Sequence, residues 1–96
     1  MTPQDLVQHV CEVLAEVQGL GGYPAPTLTL DSKPIGDLPG FDSLSSIEAT
    51  VLLEQKLGRE LDSESVFISE DGRHALDVNQ IAHRLCDLLE VERVGS

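Results

Sequence analysis

Near the N-terminus, apolar Leu6, Val10, Val13, Leu14 and Val17 return every three or four positions, the period of a helix buried along one side. Thr2 offers an N-cap and Pro3 suits a first helical turn, so a first helix is predicted from Thr2 to about Gln18. Gly19, Gly21 and Gly22 stop it. From there to Phe41 no period is sustained, and Pro24, Pro26, Pro34, Gly36, Pro39 and Gly40 break any regular element, which predicts one long loop. Leu28, Leu30, Ile35 and Leu38 are placed to pin such a loop to a core. Leu28-Thr29-Leu30 alternates like a strand, but Pro26 and Pro34 flank it and no partner strand is visible, so it is read as extended loop.

A second helix is predicted from Asp42 or Ser43 to Leu57, started by a small polar residue and stopped by Gly58. Its wheel carries two apolar stripes. Ala49, Leu53 and Leu57 form one, with Ser46 and Thr50 beside it; Leu44, Ile47 and Val51 form another, bordered by Glu48, Glu54 and Gln55. A single buried face does not account for both, so one stripe is free for a partner or the helix is buried widely. Asp62 or Ser63 opens a short third helix through Val66, Phe67 and Ile68, ending at the polar turn Ser69-Glu70-Asp71-Gly72. Asp77 reads as the N-cap of a last helix in which Val78, Ile81, Ala82, Leu85 and Leu89 make one stripe, with residues 92–96 as a frayed tail. The fold class expected is all-α: a four-helix bundle in one domain over 1–96 with its ordered core at about 3–91, a long loop between helices one and two, and a short third helix.

Composition narrows the partners. Seventeen Asp and Glu against six Lys and Arg give a net charge of −11, which repels nucleic-acid phosphates and anionic membrane surfaces and favours basic protein partners. With no Trp, one Tyr and two Phe, the core must be aliphatic. Cys11 and Cys86 lack the short paired spacings of zinc sites and the density of a disulfide framework, so two thiols in a cytoplasmic protein are expected. No stretch has the unbroken apolar run of a signal peptide or membrane span. His9, His74 and His83 are scattered, no glycine-flanked nucleophile elbow surrounds Ser43, and Glu70-Asp71-Gly72 is too short for a calcium loop. Neither a hydrolase nor a metal site is indicated.

The junction Gly40-Phe41-Asp42-Ser43-Leu44 is more specific. Asp42-Ser43-Leu44 at a helix N-terminus, after a long loop with Leu38 shortly upstream, resembles the attachment motif of acyl carrier proteins. The run Ile47-Glu48 through Leu53-Glu54 to Leu57-Gly58 is similar to that family's second helix, and with the flanking helices the resemblance covers nearly the whole chain. It implies that a phosphopantetheinyl transferase places a 4′-phosphopantetheine arm on Ser43, with Asp42 supporting, and that the protein catalyses nothing itself. It further implies a recognition helix in which Leu44, Ile47 and Val51, bordered by Glu48 and Glu54, meet acyl-loading ligases or acyltransferases and ketosynthase-type or other acyl-transferring enzymes of fatty-acid, polyketide or specialised pathways. A monomer without stable membrane insertion is expected. Ser45 where many members have an acid, Arg59 after Gly58, and the long stretches Gly19–Phe41 and Val66–Asp77 lean toward a specialised pathway. An aminoacyl or peptidyl carrier, and an unmodified helical interaction module, remain the alternatives.

Overall fold

A computed structural model describes residues 3–61, 63–69 and 71–94, without the side chains of residues 3 and 90–94. Four helices follow in chain order: α1 Pro3–Leu20, α2 Pro34–Asp37, α3 Ser43–Leu57 and α4 Val78–Val94. The chain is all-α, and the sole β pairing among the described residues is an isolated antiparallel bridge between Ile68 and Ala75. Helix α1 packs against both α3 and α4. Its predicted stripe is the reason: Leu6, Val10, Val13, Leu14 and Val17 are all buried, facing Ala49 and Leu53 of α3 and Ile81, Ala82, Leu85 and Leu89 of α4 in one core. The two phenylalanines meet edge to face within it, Phe41 and Phe67 centroids lying 5.5 Å apart.

The helix ends follow from local chemistry. The Thr2 cap lies outside the described residues. At its other end α1 runs two residues beyond the expected Gln18, stopping where Gly22 takes φ +83° and the Tyr23 N–H turns back to Gln18 O at 2.9 Å. Asp77 and Gln80 form a reciprocal capping box at the start of α4: the Gln80 N–H donates to Asp77 Oδ1 at 2.7 Å and the Asp77 N–H to Gln80 Oε1 at 3.0 Å. Loop carbonyls complete that end, Ser32 O accepting from the Val78 N–H and Leu30 O from the Asn79 N–H.

Three expectations need correction. The short helix lies at Pro34–Asp37, inside the long loop, and not at 63–68; it is one turn, broken by non-helical angles at Ile35 and Gly36. Residues 63–68 are held in bends because side chains, not helical carbonyls, take their amide groups: Val66 N–H donates to Thr50 Oγ1 and Phe67 N–H to Ser65 Oγ. Val66 and Phe67 are adjacent and both fully buried. Second, 92–96 is not a frayed tail throughout, since α4 continues to Val94; no Gly or Pro interrupts it before Gly95, and residues 95–96 lie outside the described residues. Third, Leu28, Ile35 and Leu38 do pin the loop to the core, but Leu30 stays half in solvent, because its backbone carbonyl is the part that docks on α4.

Candidate functional site

The start of α3 is built by three local devices. Gly40 adopts φ +72°, a left-handed turn, and a Cβ there would sit 2.9 Å from the Tyr23 ring, so this corner is closed to other residues both conformationally and sterically. Asp42, extended at φ −119°, is the N-cap and its Oδ1 accepts the Ser45 N–H at 3.0 Å. That backbone N–H, foremost, holds the Asp42 carboxyl below the ordinary aspartate range, so the group is ionised at neutral pH. Gln18 anchors the preceding loop from below, its Nε2 donating to Pro39 O at 3.1 Å.

Ser43 is therefore the first residue of α3 and is exposed. Its carbonyl accepts from Ser46 Oγ at 2.6 Å, whereas its own hydroxyl has no hydrogen-bond partner among the described residues. The capping role falls to Asp42, which leaves Ser43 Oγ free at the positive end of a helix dipole, a place suited to an anionic ester.

The two stripes of α3 have opposite fates. Ala49 and Leu53 are buried, with Ser46 and Thr50 beside them; Leu44 is 76%, Val51 45% and Ile47 39% exposed. On a helical wheel this exposed stripe lies on the Ser43 side, together with exposed Glu48. Glu54 is half-buried, and its Oε2 accepts the Leu61 N–H at 2.7 Å, closing the turn after Gly58. The apolar stripe thus borders Glu48, and Glu54, which lines a surface cavity with Val51, has one carboxylate oxygen engaged in the fold.

The buried flank of α3 is polar by design of its neighbours. Ser46 Oγ receives Ser65 Oγ at 2.9 Å, and Thr50 Oγ1 donates to Ser46 O at 2.8 Å while accepting Val66 N–H at 3.2 Å. Arg84 of α4 holds the same segment from the far side, donating to Ile68 O at 2.7 Å and Ser63 Oγ at 3.0 Å. The bonds to Ser63, Ser65, Val66 and Ile68 were not evident in the sequence, because they join segments far apart along the chain. Also unanticipated is an open cavity of about 300 Å³ between the C-terminal end of α1 and the start of α3, lined by Val17, Gln18, Leu20, Tyr23, Ser45 and Glu48 among others. Its one sequence signal was Tyr23, the single tyrosine, placed directly after a glycine turn.

Cys11 and Cys86 are half-buried thiols, and burial, with Glu12 adding to it, pushes the Cys11 thiol above its ordinary value, which makes it a poor nucleophile. Among the described residues no group of three His, Cys, Asp or Glu could hold a metal ion. No described helix is long and apolar enough to cross a membrane. Comparison of the chain with family models, curated proteins and solved structures finds no match.

Proposed function

We propose that this protein is an acyl carrier protein, with Ser43 as the attachment point of 4′-phosphopantetheine and α3 as the surface offered to acyl-loading and acyl-transferring enzymes. The observation that carries the reading is Ser43: exposed, its hydroxyl without a hydrogen-bond partner among the described residues, and set at the first residue of a helix whose cap is supplied by its neighbour Asp42. A capping serine would have its oxygen engaged; this one is held ready for an incoming group. The residues present fit such a group, since the helix dipole favours the phosphodiester and Ser43 is exposed.

Attachment forms the Ser43 Oγ–P bond and breaks the P–O bond to the adenosine bisphosphate half of coenzyme A, the hydroxyl proton passing to the modifying enzyme. When bound, the group supplies a distal thiol on which acyl cargo rides as a thioester. The chain's own part is presentation. Asp42, ionised beside Ser43, is available to help a transferase hold a divalent cation. Leu44, Ile47 and Val51 give an apolar patch, and Glu48 with the surrounding negative charge selects enzymes whose docking sites are apolar at the centre and basic at the rim.

Incubation with coenzyme A and a broad-specificity phosphopantetheinyl transferase, followed by intact-mass measurement, tests the reading. The wild-type chain gains the mass of one arm and Ser43→Ala gains nothing. A wild-type chain that refuses the arm from several competent transferases, or a Ser43→Ala variant that still accepts it, defeats the proposal.

A further inference from the structure

We infer that the cavity between the end of α1 and the start of α3 is a resting site for the neutral, amide-bearing chain of the arm, an inference that rests on Ser43 being the attachment point. Position comes first. Gly40 and Ser45, both in the cavity wall, lie three residues before and two residues after Ser43. Chain reach places neither of their α-carbons more than about 11 Å from that of Ser43, well within what a flexible arm can fold back over.

The chemistry of the wall then selects the occupant. Gln18 is 3% exposed and one N–H of its Nε2 is committed to Pro39 O, which leaves its side-chain carbonyl as an acceptor beside the second N–H. Glu48 adds a carboxylate acceptor. Ser45 donates its hydroxyl proton to Gly40 O at 3.3 Å, which leaves its oxygen lone pairs. Tyr23 alone brings an uncommitted O–H donor. Such a wall suits a chain that presents several N–H or O–H donors and at least one carbonyl, while Val17 and Leu20 offer apolar contact to methyl branches. Among the described residues no Lys or Arg lines the cavity and Glu48 does, so it rejects a phosphate or carboxylate. The phosphodiester accordingly stays outside, at the helix dipole, and the neutral segment beyond it enters.

Two walls of the site are held by the fold itself. Gln18 is fixed by Pro39, and the Tyr23 ring rests on Gly40 so closely that no Cβ fits between them. A tether supplies millimolar effective concentration, so a weak but preorganised cavity is enough to hold the arm against α1 between enzymes. A docking enzyme that engages the Leu44–Ile47–Val51 stripe approaches Glu48, one wall of the cavity, and competes for the arm there.

Two amide-resolved NMR comparisons test this separately from attachment. In the first, spectra before and after loading should differ at the Gln18 side-chain amide, Tyr23 and Glu48, with contacts from the arm's methyl groups to Val17; changes confined to residues 42–46 in a chain shown by mass to be loaded would overturn the resting site and leave the attachment intact. In the second, free pantetheine at millimolar concentration is added to Ser43→Ala, which cannot be loaded. The same residues should move, and Tyr23→Phe in that background should bind about fivefold more weakly, the loss of one neutral hydrogen bond. No movement at those residues, or equal binding by Tyr23→Phe, counts against the cavity even where Ser43 accepts the arm.

Discussion

Thr50→Val isolates the polar seam that holds the non-helical segment to α3. Thr50 is 1% exposed and its Oγ1 is the acceptor for the Val66 N–H, a donor that is itself fully buried. Valine keeps the shape and removes that acceptor. The other bond lost, from Thr50 Oγ1 to Ser46 O, leaves no orphan, because a mid-helix carbonyl keeps its backbone partner. One buried unsatisfied N–H costs about 1–3 kcal/mol, and replacing a buried hydroxyl by a methyl returns up to about 1 kcal/mol, so the net loss is about 1–2 kcal/mol. For a chain of this length each 1 kcal/mol shifts the midpoint by roughly 4–8 °C, giving a fall of about 5–15 °C. Urea and thermal unfolding followed by circular dichroism measure the loss, and hydrogen exchange at the Val66 amide locates it. A Thr50→Val protein as stable as the parent, with Val66 exchange unchanged, would refute the reasoning, since it would mean that the seam is packing alone.

Phe67→Ala removes a fully buried ring and its edge-to-face contact with Phe41, and is expected to cost about 3–5 kcal/mol; a loss below about 1 kcal/mol in urea titrations would show that bends at 63–68 do not anchor the core. Gly58→Ala meets only open space but keeps φ +68°, a strain of about 1–2 kcal/mol, whereas Gly40→Ala adds a 2.9 Å clash with Tyr23, so thermal melts should rank Gly40→Ala clearly below Gly58→Ala and the reverse order would be disqualifying. Stability should fall as pH drops below about 4: the Asp42 and Asp71 carboxyls sit below their ordinary range, held there chiefly by the Ser45 N–H and the Ser69 hydroxyl, so their contribution is present above the unfolded-state value and is lost as pH falls through the folded one. Asp42→Asn should flatten part of that acid limb, and an unchanged profile would exclude the cap from it.

What the residue pattern revealed and what it hid divide along physical lines. Helices α1, α3 and α4 were legible because each carries a buried stripe of helical period and a nearby punctuation mark, such as Asp42 and Gly58 around α3 or the Asp77–Gln80 box before α4. Ser43 at a helix start was legible for the same reason. The bends at 63–68 were not, because their backbone groups are satisfied by Thr50 and Ser65 side chains, and no local period announces a bond between residues sixteen apart. The bond of Glu54 was hidden by the same blindness: nothing local to an acid beside an exposed stripe announces that Leu61, seven residues on, takes one of its oxygens as an acceptor. The cavity beside Ser43 depends on α1, a glycine turn and α3 meeting, which only three dimensions disclose.

The allocation of side chains on α3 is itself an argument about function. Folding alone would place Leu44, Ile47 and Val51 inward and serine and threonine outward, yet Ser46 and Thr50 are buried while the three large apolar residues are exposed. The inversion carries two costs: buried hydroxyls must each find partners, and an apolar stripe on the surface invites association. The first is met by Ser65, Val66 and the helix's own carbonyls, and the second is opposed by the repulsion that a net charge of −11 sets up between copies of the chain. Like charge that repels a second copy attracts a basic enzyme. On the carrier reading proposed above, an apolar stripe set in negative charge, with Ser43 exposed at the head of the same helix, is the arrangement that passing a cargo between basic-rimmed enzymes would require.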